Sequence, residues 1–127
     1  MPFPNWKGIF FVMNLEEIRE YALGLPDVTE GLPFGPSVLV FKTNNKMFLL
    51  LPLDIEQTQF NVKCDPELAI ELRETYPEAV LPGYHMSKIH WNTVLVNDIL
   101  KTSQLQEMIR HSHALVQQGN KKSRTKK

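Results

Sequence analysis

Two short runs, residues 37–43 and 46–51, are apolar at almost every position and are separated only by Asn44 and Asn45. Asparagine tolerates the positive φ that a two-residue hairpin loop requires, so the pair predicts a β-hairpin. A strand with one wet face alternates apolar and polar residues. Val38-Leu39-Val40-Phe41 and Met47-Phe48-Leu49-Leu50-Leu51 do not alternate, which requires both faces of this part of the sheet to be covered. The hairpin is therefore expected to be packed on both of its faces.

The flanking segments say what packs on it. Asn14 with Glu17 three residues later forms a variant of the capping box, Leu15, Ile18, Ala22 and Leu25 share a helical face, and Gly24 with Pro26 ends the turn pattern. Residues 26–36 read as a shaped loop. Residues 59–64 alternate, with Phe60, Val62 and Cys64 inward and Asn61 and Lys63 outward, which predicts a strand with one wet face. Asp65-Pro66-Glu67 predicts a helix start: Asp65 caps free amides, Pro66 has no amide to orphan and Glu67 suits the dipole. That helix is expected to stop at Pro77. Residues 89–96 read as a strand with Trp91, Thr93 and Leu95 on one face and Asn92, Val94 and Val96 on the other. Thr102 or Ser103 caps a last helix with the stripe Leu105, Met108, Ile109, Ser112, Val116.

Helices lie outside the strand pairs rather than between every two strands, which favours an antiparallel α+β sandwich over a doubly wound sheet. The expected core comprises Phe41, Phe48, Leu50, Phe60, Val62, Ile70, Leu72, Val94, Met108 and Ile109. The expected organisation is an N-terminal extension over 1–12, a domain over 13–118 and a disordered basic tail over 119–127. The extension, with two prolines and two aromatics before Met13, is read either as lying ahead of a natural start at Met13 or as an added edge strand at 9–12.

Formal net charge is zero, from 14 basic and 14 acidic residues. Residues 120–127 hold five of the basic groups, leaving nine against fourteen acids and a body formally near minus five. A uniformly basic nucleic-acid binder is excluded, whereas a local basic patch is not. Cys64 is the only cysteine, so no intramolecular disulfide forms, and a reducing, cytoplasmic setting is expected. The apolar run at 9–13 is too short for an export signal core or a membrane span.

Chemistry concentrates in residues 83–93, Gly-Tyr-His-Met-Ser-Lys-Ile-His-Trp-Asn-Thr. Tyr84, His85, Lys88, His90, Trp91 and Asn92 combine flat faces with hydrogen-bond donors. His85 and His90 are five apart, a poor spacing for a shared metal on a strand or a helix, so neither a metal nor a cofactor is expected. Catalysis would need a nucleophile or glycine-rich motif beside them, and none accompanies them, so the domain is read as non-enzymatic. Lys88, Trp91 and Asn92, with Lys63 and the hairpin lysines Lys42 and Lys46, suit stacking and phosphate contact. The competing role for Trp91 is to anchor the core. Cys64 reads as a small core residue.

Leu-Pro-Phe-Gly (32–35), Val-Phe-Lys (40–42), Lys-Met-Phe (46–48), Val-Lys-Cys-Asp-Pro-Glu-Leu (62–68) and the run from Pro82 to Val94 together resemble the MmcQ/YjbR family of small bacterial proteins, in the right order from Met13 to about Val116. The resemblance implies a CyaY-like two-layer sandwich, similar to frataxins, with helices packed on one face of an antiparallel sheet. It also implies DNA binding through a double-wing arrangement, with Lys42 and Lys46 on one wing and Lys63, Lys88, His90, Trp91 and Asn92 on the other surface. Iron handling of the frataxin kind is not implied, because the first helix carries only Glu16, Glu17 and Glu20. The alternative reading is a small-molecule or protein-binding pocket lined by Tyr84, His85, His90 and Trp91. Oligomeric state is left open.

Overall fold

The computed structural model describes residues 13–83 and 86–125, with side chains described through residue 118. The proposed strand at 9–12, and Tyr84 and His85, lie outside the described residues. Helix α1 (Leu15–Leu23) starts with both halves of its capping box in place: the Glu17 amide donates to Asn14 Oδ1 at 2.8 Å and the Asn14 amide to Glu17 Oε1 at 3.0 Å. Strands β1 (Val28–Gly31), β2 (Val38–Thr43), β3 (Lys46–Pro52) and β4 (Gln59–Lys63) follow, then α2 (Pro66–Thr75), β5 (Val80–Pro82), β6 (Trp91–Leu95) and α3 (Thr102–Thr125). The strands form one antiparallel sheet in the order β1-β2-β3-β4-β6-β5.

The hairpin is as read from sequence. Asn44 and Asn45 take φ of 54° and 67°, the pair of left-handed residues that a tight, strand-matching turn needs. On the helical face Phe41, Phe48 and Phe60 are fully buried with Ile18, Leu105 and Ile109, and truncating any of these phenylalanines to alanine is worth about 3–5 kcal/mol. Val40, Leu50 and Trp91 cluster on the opposite face with Met86 packed on them. That second cluster is why the hairpin does not alternate.

Several readings are corrected. Residues 28–31, read as part of a shaped loop, form the edge strand β1, and residues 80–82, not read as a strand, form the edge strand β5; each is too short and too exposed to generate a period. Asn61 is not on a wet face: it is 8% exposed, and its Oδ1 accepts from Thr93 Oγ1 at 2.5 Å, a polar pair buried beside Leu50 in the cross-strand register. Ile70 is 53% exposed. Helix α2 turns Leu68, Ala69, Leu72 and Tyr76 towards the sheet, and Ile70 is one step of about 100° beyond Ala69, outside that stripe. The last strand begins at Trp91, because residues 88–90 form a turn. The backbone of helix α3 runs to Thr125.

Strand register fixes which connections share an end of the sheet. Thr43 pairs Val28 and Lys46, Lys63 pairs Trp91, and Asn92 pairs Pro82. The α1–β1 link, the hairpin turn at 44–45, the β4–α2 link and residues 83–90 are therefore at one end, here called the tip end. Residues 32–37, 53–58, 76–79 and 96–101 are at the far end. Helix α3 begins at the far end and passes Thr43, where the Gln117 amide donates to Thr43 Oγ1 at 3.0 Å. Its last eight residues extend about 12 Å further in the tip direction at the usual helical rise.

Candidate functional site

The segment between β5 and β6 is held by one arginine. Arg73, on the sheet-facing side of α2, donates from Nε to Asn92 Oδ1 at 2.8 Å and from Nη2 to the carbonyls of Lys88 and, at 3.3 Å, of Trp91. Asn92 is 1% exposed, so its amide serves this internal bond. The Gly83 amide donates to the Trp91 carbonyl at 2.9 Å, the Trp91 amide to Ser87 O at 2.9 Å, the Cys64 amide to His90 O at 2.8 Å, and Lys88 Nζ to Gly83 O at 3.3 Å. Gly83 is required by this closure. A Cβ there would stand 2.7 Å from Trp91 Cβ and 2.9 Å from its carbonyl oxygen, closer than any side chain tolerates.

Trp91 is 6% exposed. Its outer neighbour is Lys63, whose Nζ lies 5.9 Å from the ring centroid, a cation–π geometry that steadies both groups. The indole thus anchors the face and does not offer a stacking platform. What the tip end presents to solvent is Lys46, Lys88 and His90, exposed, with Lys42 and Lys63 half-exposed: two on the hairpin, one at the end of β4, and two on the segment organised by Arg73. Of the residues singled out by sequence, the structure gathers these five at one end and puts Trp91 and Asn92 beneath them.

The two ends differ in charge. Far-end connections and the start of α1 carry Glu16, Glu17, Asp54, Glu56, Glu78 and Asp98 against Lys101. The tip end carries Lys42, Lys46, Lys63 and Lys88, with Asp27, Asp65 and Glu67 as its acids, and α3 leads Lys121, Lys122 and Arg124 in the same direction. A chain with no net charge is therefore electrically polarised along its strands.

Sequence reasoning missed Arg73 and the role of Ser112. The signal for Arg73 was an arginine on the α2 face that otherwise holds Ala69 and Tyr76. Ser112 is fully buried; its hydroxyl accepts from the Lys63 amide at 2.9 Å and donates to Phe48 O at 2.5 Å, bridging β3 and β4. It thereby holds the backbone of Lys63.

On the helical face, α2 and α3 diverge over β4 and β6 and leave a cavity of about 250 Å³. Cys64 and Val94 are in its floor, Leu72 and Tyr76 in one wall, and Met108 and His111 in the other. Burial pushes the Cys64 thiol up to about 11, aided by the Asp65 charge, so it is neutral and unreactive near pH 7. Burial likewise lowers the His111 pKa, with Asp65 opposing. Its Nε2 accepts the Asp65 amide at 3.3 Å.

Among the described residues no helix is long and apolar enough to cross a membrane. A model of the YjbR family matches residues 23–115. YbdF of Escherichia coli O157:H7 is 36% identical over 105 residues, covering 82% of this chain and 84% of its own length. YjbR of Escherichia coli K12 is 25% identical over 101 residues, covering 80% and 85%. Among solved structures, a Deinococcus radiodurans protein with a DUF419 domain superposes with a TM-score of 0.78 at 32% identity, over 83% of this chain and 79% of that one. A Pseudomonas syringae protein gives 0.68 at 29% identity, over 82% and 99%.

Proposed function

This chain belongs to the YjbR family, and on that premise we propose that it is a DNA-binding domain of the double-wing type, gripping the nucleic-acid backbone with the tip end of its sheet. One observation carries the reading: Lys42, Lys46, Lys63, Lys88 and His90 share one end of the strand register with three acids, while the other end holds six acids against Lys101. The β2–β3 hairpin is one wing and residues 83–90 the other, with Lys63 between them. Such a surface contacts phosphates, which position a protein on DNA without reading sequence. The group best suited to base contact, the Asn92 amide, is committed to Arg73. Binding is therefore sequence-tolerant and salt-sensitive, in the range of about 10⁻⁴–10⁻⁶ M at physiological salt.

In this reading the domain is a binding module and not an enzyme, with His90 an exposed polar group of the binding surface. A single buried, neutral cysteine suits the cytoplasm. The test is binding of a labelled duplex at two salt concentrations to the full chain and to a chain ending at Gly119. Retained, salt-weakened binding by the shorter chain supports a site on the folded domain. Loss of all binding with the last eight residues would reduce the activity to polycation attraction and end the double-wing reading.

A further inference from the structure

We propose that the cavity between α2 and α3 is a binding site for a small, neutral, mostly apolar molecule bearing one hydrogen-bond-accepting oxygen. It is on the opposite face of the sheet from Trp91 and is independent of the tip-end lysines. A cavity of about 250 Å³ falls just below the roughly 300–1,000 Å³ of sites for drug-sized ligands, so the occupant is the size of a substituted benzene ring. Leu68, Leu72, Val94 and Met108 supply the apolar surface.

The polar groups on its wall are donors with capacity left over. Tyr76 Oη accepts the Gln104 amide at 3.0 Å, which leaves its own proton free to donate. His111 accepts the Asp65 amide on Nε2; in the neutral ring the proton is then on Nδ1, which has no partner among the described residues. Both side chains line the hollow and each keeps donor capacity that an acceptor on a ligand can use. Charge narrows the class further. The Lys63 ammonium is over Trp91, on the other face, and Arg73, whose charge reaches Cys64 in the floor, is committed to Asn92 and to the Lys88 and Trp91 carbonyls. Glu107 is paired with Arg110, and Asp65, which accepts the Leu68 amide at 3.3 Å, keeps a charge that reaches Cys64 and His111 and opposes an anion further. A cationic ligand would have to be desolvated against an apolar floor.

The test uses the full chain, labelled with ¹⁵N, titrated to millimolar concentration with acetophenone, ethylbenzene and benzoate in turn. Acetophenone should shift the amides of Cys64, Leu72, Met108 and His111 saturably, ethylbenzene should bind several-fold more weakly, and benzoate should leave these amides in place. Tyr76→Phe should remove most of the preference for the ketone over the hydrocarbon while keeping the spectrum folded. Leu72→Trp should fill the hollow and abolish both; Met108→Phe serves the same purpose if the first variant loses its dispersed spectrum. No saturable shift with either neutral probe, stronger binding of benzoate, or ketone binding that survives a folded, filled cavity would each overturn the proposal.

Discussion

The tip end and the far end of the sheet are built from the same strands yet do opposite things with charge. At the far end the acids Glu16, Glu17, Asp54, Glu56, Glu78 and Asp98 stand on turns and helix starts, where carboxylates solvate readily and, at the start of α1, favour the dipole and close the capping box. At the tip end the lysines stand on structure that is locked from beneath. Arg73 fixes the backbone under Lys88, Ser112 fixes the backbone of Lys63, and two left-handed asparagines fix the hairpin that carries Lys42 and Lys46. Charge alone is cheap surface decoration. Charge on a buttressed scaffold holds a fixed geometry, which is what distinguishes a recognition surface from a solvated one.

The largest effect expected is on the contrast itself. Replacing Lys42, Lys46, Lys63 and Lys88 by glutamate should weaken duplex binding about a hundredfold or more at low salt, since every phosphate that is no longer neutralised also takes about one unit off the salt slope. Neutralising Asp54, Glu56 and Asp98 to their amides should leave the affinity within about threefold, because screening over a Debye length of about 10 Å separates the two ends. Filter binding or fluorescence anisotropy reads both.

Next comes the buttress. Arg73→Ala leaves the buried Asn92 oxygen without its donor and frees the carbonyls of Lys88 and Trp91, at a cost of about 1–3 kcal/mol in urea unfolding. Arg73→Lys should rescue little of it, because the three hydrogen bonds need the planar fork of a guanidinium. Both variants should also lower DNA affinity, through the loss of the backbone that Arg73 holds beneath Lys88. A loss of stability with unchanged affinity would show that the 83–90 wing is not part of the binding surface.

A smaller effect concerns pH. Burial holds the His111 imidazole neutral in the fold, below its ordinary titration range near 6.5. The unfolded chain therefore binds the extra proton first. Stability is intact above the unfolded value and declines as pH falls from about 6.5 towards the folded value. Urea midpoints at pH 7.5 and 5.5 should differ more for the native chain than for His111→Gln, which removes this titration.

Local rules made much of the fold legible: the capped start of α1, the Asn44-Asn45 turn and the non-alternating hairpin each follow from residues adjacent in sequence. The Asp65-Pro66 helix start does too, with Asp65 Oδ2 accepting the Leu68 amide. What sequence could not show depends on partners distant along the chain. Strands β1 and β5 exist because β2 and β6 offer them edges, and Asn61 is buried because Thr93 stands across from it. At the candidate site the lysines were legible as a set, whereas the sorting of Trp91 and Asn92 into the interior was not. Asn92 is held inside by Arg73, 19 residues away in sequence, and Trp91 by Val40 and Leu50 on the opposite face. The cavity between α2 and α3 was invisible for the same reason: it is a property of how far two helices diverge, not of either one.

The most direct test of the polarised domain is to map a short DNA duplex onto the full chain by amide chemical-shift perturbation at low salt. Shifts confined to residues 42–46, 63–65 and 86–92 are the expected result, with residues 53–58, 78–79 and 96–101 unmoved. Shifts spread evenly over both ends, or appearing only beyond residue 119, would contradict the assignment of the tip end as the binding surface.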